Sequence, residues 1–212
     1  MIKAVLFDFD GTIANTGELI LTCFAHAVRT CLGYEPTREA MLENFGLVMH
    51  DAFFLFTQDE EKITELRDEF RAYHHEKHDA LIKIYPGVKE AFSGLKARGV
   101  KIGIVTSKKH HMVTHGLKFL GLIDFVDVIV SADDVTNGKP SPEPMLLALS
   151  KLQLQASECI AVGDSPFDMM SGKRAGMKAY AVSYTDVRKD KFVGEGAPDL
   201  WIDSLEDLLK LC

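Results

Sequence analysis

A short apolar run near the start of the chain ends in a cluster of polar residues, and this feature constrains the fold most. Residues 2–7 are followed by Asp8, Asp10, Gly11 and Thr12. Apolar runs of this length between turn residues are typical of strands buried on both faces of a parallel sheet. Because side chains alternate along a strand, the pattern predicts that Asp8 and Asp10 point the same way. We expect this carboxylate pair at the carboxyl edge of an α/β sheet, where such sheets bind ligands.

Two carboxylates held this close repel each other, and each resists ionisation unless a cation lies between them. Oxygen ligands alone favour Mg²⁺, so the pair indicates a magnesium site. Gly11 permits a sharp turn or a close backbone approach to a ligand, and Thr12 adds a hydroxyl donor. Taken alone, the motif also fits a solvated acidic turn, so the choice depends on matching residues further along the chain.

Charge and cysteine content limit the classes of function. A formal net charge of −7 leaves no basic excess to displace counterions, which argues against a nucleic-acid partner. The sequence has neither a signal-peptide pattern nor a long apolar run, and its first strand is predicted from residue 2. We therefore expect a reduced, cytoplasmic protein with no tag, transit peptide or membrane partner. The cysteines lack metal-site spacing and are Cys23, Cys31, Cys159 and Cys212.

An all-helical insertion is predicted directly after the first strand. Residues 15–83 show helical spacing and no strand pattern. The start and stop signals of these helices are Thr16, Gly33, Thr37, Gly46 and Asp59. The second helix is predicted to carry Met41, Leu42 and Phe45. A chain of 212 residues has room for one core domain, 1–14 with 84–212, and this helical cap, 15–83, with hinges near 14–17 and 84–86.

Two features of the cap have ordinary explanations. The aromatic run 53–56 is interpreted as cap core rather than as a ligand-stacking surface. His74, His75 and His78 lie on one predicted helix, but no zinc motif surrounds them, so we expect solvated or cap-facing side chains.

Strands and helices alternate through the rest of the chain. This alternation predicts a Rossmann-like, doubly wound parallel sheet with helices on both faces. The predicted strands are 101–106, 125–130, 158–162 and 179–182, and the predicted helices are 87–98, 108–120, 142–152, 166–175 and 204–211.

Each predicted strand end near the first motif carries polar residues. The group comprises Thr106, Ser107, Lys108 and Lys109 after one strand, Lys139 before a helix, and Asp164 and Asp168 after another strand. Taken singly each is weak, but together they describe a phosphate site with a metal. A carboxylate can attack phosphorus, a neighbouring carboxyl can transfer protons, and Mg²⁺ can offset their repulsion from phosphate. Thr106 and the Ser107 amide can hold phosphoryl oxygens, Lys139 is a cation for the same oxygens, and Asp168 can orient that lysine.

This ordered set resembles the haloacid dehalogenase superfamily, on its phosphatase side and with a helical cap of the C1 type. The resemblance implies that Asp8 is the nucleophile and Asp10 the acid and base. It also implies that Mg²⁺ is bound by Asp8, the Asp10 carbonyl and Asp164. The aspartate at position 10 disfavours dehalogenation, and Thr12 favours hydrolysis over a sugar phosphomutase reaction.

A closer resemblance is to pyrophosphatases of the PpaX type and to phosphoglycolate phosphatases. The segments that carry it are 18–20, 50–53, 116–119, 133–135 and 139–144, with Arg71, His74 and His78. It favours inorganic pyrophosphate as substrate, with phosphoglycolate or another small phosphomonoester as the alternative, acted on by a monomer or homodimer. We hypothesise that Lys108, Lys109 and His50 hold the second phosphate. A sugar phosphomutase and a phospho-accepting receiver domain remain competing functions; the receiver needs neither Asp10 nor a cap.

Overall fold

The computed structural model describes residues 1–43, 47 and 49–211. Phe45 and Gly46, predicted for the second cap helix, and Cys212 lie outside the described residues. The chain forms two compact units, Thr16–Ile82 and Met1–Asn15 with Lys83–Cys212. These limits lie one residue from the predicted domain boundaries. Among the described residues, no helix is both long and apolar enough to cross a membrane.

The strands and helices follow one another in the order expected of an α/β core with a helical insertion. The strands are β1 Ala4–Phe7, β2 Ala14–Asn15, β3 Lys83–Ile84, β4 Lys101–Val105, β5 Val128–Val130, β6 Cys159–Gly163, β7 Lys178–Val182 and β8 Leu200–Ile202. The helices are α1 Gly17–Leu32, α2 Arg38–Leu42, α3 Met49–Phe54, α4 Glu60–Leu81, α5 Val88–Ala97, α6 His110–Phe119, α7 Glu143–Leu152 and α8 Pro166–Arg174.

The main sheet is parallel and has the order β5-β4-β1-β6-β7-β8. The chain builds outward from β1 through β4 to β5, then returns to β6 on the other side of β1. Ligands of doubly wound sheets bind where the strand order reverses in this way. Phe7 is in register with Val162 of β6, so the residues that follow these two strands emerge side by side at the reversal point. The predicted α/β class is confirmed.

Several details of the sheet unit differ from the sequence-based expectation. The short β8 was not predicted, because Leu200–Ile202 gains its extended form by pairing with β7 at the sheet edge. The last predicted helix is a 3₁₀ helix, Leu205–Lys210, that begins at a Ser204 capping box. At the predicted hinges, β2 and β3 form a two-stranded antiparallel ladder, so backbone hydrogen bonds join the two chain crossings.

The helical unit has its own hydrophobic core. Phe24 of α1 stacks on Phe53 of α3 with ring centroids 4.3 Å apart. Further buried side chains of the cluster come from α1, α2 and α4 and include Leu19, Val28, Met41, Ile63, Leu66 and Phe70. The predicted aromatic core is therefore confirmed for Phe53 and wrong for Phe54, which is 42% exposed.

Among the described residues of this unit, the helix ends follow the predicted signals with one exception. The Thr37 hydroxyl accepts from Ala40 N, the Asp59 carboxylate accepts from Glu61 N and Lys62 N, and Gly33 ends α1 in the left-handed conformation. Thr16 occupies the N-cap position of α1, but its side chain makes no capping hydrogen bond. Of the two expected settings, solvated or cap-facing, His75 is exposed, whereas His74 and His78 are buried because they continue the inner face of α4.

Candidate active site

Asp8 lies at the middle of the sheet edge, directly after β1. Its backbone N–H donates to the Val162 carbonyl across 2.9 Å, which extends the β1–β6 pairing by one residue. Its carboxylate accepts a hydrogen bond from Lys139, with Nζ 2.8 Å from Oδ1. Main-chain hydrogen bonding thus orients Asp8, and a buried cation faces it.

Lys139 bridges two carboxylates. Its ammonium is 2.8 Å from Asp8 Oδ1 and 2.5 Å from Asp168 Oδ1, and its side chain is only 6% exposed. Asp168 is held in turn by Ser165, whose N–H and hydroxyl both donate to Asp168 Oδ2 at the start of α8. Burial alone would lower the pKa of Lys139, but the charges of Asp168 and Asp8 outweigh it and raise that pKa. Lys139 therefore stays protonated.

A third carboxylate, Asp164, approaches the same point from the loop after β6. Carboxylate oxygens of Asp8, Asp164 and Asp168 all lie within 4.8 Å of one another. Gly11 allows this approach, because a Cβ at position 11 would lie 2.1 Å from Asp164 Oδ2. Gly11 also has φ of +73°, a conformation that other residues adopt only with strain.

The crowding of carboxylates disturbs their protonation. Burial, together with the charges of Asp168 and Asp10, raises the pKa of Asp8 to about 7 despite the opposing charge of Lys139. Burial and the charges of Asp168 and Asp8 also raise the pKa of Asp164 well above its usual range. A cation would relieve this repulsion, and a set of oxygen donors fits Mg²⁺. The residues present therefore fit the expected ion, with Asp8 and Asp164 as side-chain ligands.

Asp10 has a different partner from Asp8. Both of its carboxylate oxygens face Lys108, whose Nζ is 2.8 Å from Oδ1 and 2.7 Å from Oδ2. β1 ends at Phe7, before both aspartates, and their carboxylates contact separate lysines. Lys109 has an exposed side chain and precedes α6 as its N-cap residue. The structure thus brings Lys108 against the predicted acid–base group, and it gives Lys109 no such contact among the described residues.

Thr106 and Ser107 line a cleft of about 120 Å³ that Lys139 and Gly138 also border. Thr106 is buried, and its hydroxyl accepts a hydrogen bond from Lys108 N across 3.2 Å. Because Lys139 borders this cleft, an anion entering it would lie near a buried cation.

Sequence reasoning placed three residues differently or overlooked them. The Thr12 hydroxyl, an expected donor, is buried without a hydrogen-bond partner in the described part of the chain; the Thr12 carbonyl instead accepts from Tyr184 Oη across 2.8 Å. Thr185 was missed, although its hydroxyl donates to the Asp164 carbonyl across 2.7 Å. Tyr184 was missed as well. The sequence signal available for Tyr184 and Thr185 was their position shortly after a predicted strand.

His50 lies in the helical unit, on α3. Its two ring nitrogens are 3.1 Å from Glu60 Oε2 and 3.2 Å from Asp51 Oδ1. Hydrogen bonds to Glu60 and Asp51 raise the pKa of His50. Its role in substrate binding stays a prediction.

Comparison with known proteins extends over the whole chain. A family model described as haloacid dehalogenase-like hydrolase matches residues 5–182. A pyrophosphatase PpaX from Bacillus cereus is 40% identical over 210 residues, which cover 99% of this chain and 96% of that protein.

Solved structures share the fold. A predicted phosphoglycolate phosphatase from Haemophilus somnus superposes with a TM-score of 0.89 at 22% identity, covering 99% of this chain and 97% of that one. A haloacid dehalogenase-like family hydrolase from Streptococcus pneumoniae superposes with a TM-score of 0.88 at 21% identity, covering 99% and 98%. At these identities the superpositions establish the fold alone.

Gly11→Ala should abolish Mg²⁺ binding, because its Cβ would displace the Asp164 carboxylate. Gly33→Ala is the matched control, since Gly33 has a similar φ of 78° and no atom within 4 Å of an added Cβ. Both variants should lose roughly 1–2 kcal/mol of stability from the left-handed backbone. Only Gly11→Ala should lose the Mg²⁺ signal in isothermal titration calorimetry. Equal Mg²⁺ affinity in the two variants would show that Gly11 does not make room for a metal ligand.

The affinity for Mg²⁺ should fall as the pH is lowered from 8 to 6. The pKa of Asp8 without metal is about 7, so in this range a proton competes with the cation for the same carboxylate. Because its pKa is raised, Asp8 in the metal-free site holds a proton at a higher pH than an ordinary aspartate does. The proton leaves as the pH rises, so Mg²⁺ affinity should rise with pH. Calorimetric titrations at several pH values measure the effect, and a flat profile would contradict it.

Proposed function

Since the chain belongs to the haloacid dehalogenase-like hydrolase family, we propose that it is a Mg²⁺-dependent phosphohydrolase that forms an aspartyl phosphate on Asp8. The proposed substrate is inorganic pyrophosphate. One observation carries the proposal: a buried lysine holds the carboxylate of Asp8 at the reversal point of the sheet, with Asp164 within 4.8 Å. This arrangement supplies a fixed nucleophile and a place for a cation beside it.

The residues of the site divide the chemistry among them. Asp8 attacks the phosphorus, and the bond from phosphorus to the leaving oxygen breaks. Asp10 donates a proton to that oxygen, then accepts one from the water that attacks the aspartyl phosphate; inorganic phosphate leaves and Asp8 is restored. Mg²⁺, held by Asp8, Asp164 and the Asp10 carbonyl, would offset the repulsion between carboxylate and phosphate.

The remaining polar groups position the reactants. Lys139 keeps the Asp8 carboxylate in one orientation, and Asp168 keeps Lys139 in place. Thr106 and the Ser107 amide border the cleft in which phosphoryl oxygens would lie. Gly11 leaves room for Asp164 and for close approach of the substrate to the backbone.

Two observations favour pyrophosphate over other phosphates. The 40% identical relative from Bacillus cereus, matched over 99% of this chain, is a pyrophosphatase. Lys108 places a second ammonium at the site, paired with Asp10 and only 11% exposed. A substrate that carries a second phosphate could take this cation from Asp10. The Asp10 carboxylate could then take up a proton from solvent and pass it to the leaving oxygen. Lys109 and His50 are proposed to help bind that second phosphate.

Phosphate release from a panel of compounds tests the function. Pyrophosphate, phosphoglycolate and p-nitrophenyl phosphate are each incubated with and without Mg²⁺. We expect the highest kcat/KM for pyrophosphate, no release without Mg²⁺, and no release by Asp8→Asn. Asp10→Asn should lose roughly 100-fold or more, because proton transfer contributes at least that much. Turnover by Asp8→Asn, or a stable aspartyl phosphate without turnover, would contradict the proposal.

Lys108→Ala and Lys109→Ala test the binding of the second phosphate. A charged hydrogen bond contributes about 1.5–3 kcal/mol, so loss of a cation should lower kcat/KM for pyrophosphate roughly tenfold or more. p-Nitrophenyl phosphate carries no second anion on its leaving side and should lose much less. Equal losses on both substrates would remove the case for a second-phosphate site at that lysine.

A further inference from the structure

We propose that Thr185 is a positioning residue that sets the Mg²⁺ affinity of the site by holding Asp164. The inference rests on the proposed function, in which Asp164 is a metal ligand. Thr185 lies three residues after β7, on the loop beside the loop that carries Asp164, and is half-buried.

The hydroxyl of Thr185 connects to Asp164 at two points. Oγ1 is 2.7 Å from the Asp164 carbonyl oxygen and 3.4 Å from Asp164 Oδ2. It also accepts a hydrogen bond from Val187 N across 2.9 Å. A hydroxyl carries a single proton, and accepting from Val187 directs that proton toward Asp164. Valine at this position would keep the shape and remove the donor.

Asp164 needs this hydrogen bond because its other neighbours repel or crowd its carboxylate. Carboxylate oxygens of Asp8 and Asp168 lie within 4.8 Å of an oxygen of Asp164, so like charges face it. Gly11 packs so closely against its carboxylate that a single added carbon would overlap Oδ2. Thr185 is neutral, so it can fix the backbone of Asp164 without competing with a cation for the site. Groups of this kind behind a metal ligand typically change metal affinity by about 10–100-fold.

Tyr184, the residue before Thr185, stabilises the other side of the contact between Gly11 and Asp164. Tyr184 Oη donates to the Thr12 carbonyl, and the Tyr184 ring lies 4.4 Å from the ring of Tyr85. Tyr184 thus holds the loop that contains Gly11, while Thr185 holds the loop that contains Asp164. The two adjacent residues keep these loops at a fixed separation.

Calorimetric titration of the substrate-free protein with Mg²⁺ tests the inference. Thr185→Val should bind Mg²⁺ about tenfold more weakly than the wild type. Thr185→Ser retains the hydroxyl and should stay within about twofold. Ser183→Ala is the matched control, because it removes a hydroxyl hydrogen bond from the same loop, to Asp203, without touching the site. Each melting temperature is measured without and with Mg²⁺, so that a general loss of stability is separated from a loss of metal binding.

Two outcomes would overturn the inference while leaving the proposed function intact. One is wild-type Mg²⁺ affinity in Thr185→Val. The other is equal weakening in Thr185→Ser, which would show that the methyl group rather than the hydroxyl matters. A wild-type protein that neither binds Mg²⁺ nor releases phosphate would instead overturn the proposed function, and the role of Thr185 with it.

Discussion

The site depends on the close approach of three carboxylates to one buried lysine, whose charge offsets only part of their mutual repulsion. Asp8, Asp164 and Asp168 converge within 4.8 Å, and Lys139 contacts two of them. Burial makes each charge costly, and one ammonium cannot balance three ionised carboxylates, so Asp8 and Asp164 resist ionisation. The raised pKa values of Asp8 and Asp164 express this imbalance. In the proposed function, a cation bound here would relieve the repulsion and attract the phosphate.

The fold keeps these charges together in spite of their repulsion. The apolar strand β1 is buried between β4 and β6, and its register with β6 brings the loops after both strands side by side. Glycine then permits contacts that a side chain would forbid: a Cβ at Gly11 would overlap Asp164, and a Cβ at Gly163 would overlap Asp168. The stability of the sheet thus supports an arrangement that the carboxylates alone would not maintain.

Much of the site was predictable because its residues follow strands. Asp8, Thr106 and Asp164 each come directly after a strand, and parallel strands bring such positions to one edge. The choice between Lys108 and Lys109 was not predictable, since both occupy a loop where no periodicity determines direction. Thr185 was also missed, because its partner Asp164 is 21 residues away and the contact exists only once β6 and β7 are paired.

The sequence by itself determined the α/β class, the helical insertion, and the residue types at the strand ends, because hydrophobic periodicity and turn residues are local signals. Tertiary structure decided which lysine faces which aspartate, which helix face buries His74 and His78, and where β8 forms at the sheet edge. These outcomes depend on distances between segments far apart in the chain. Such distances follow from strand order and packing, and no local pattern encodes them.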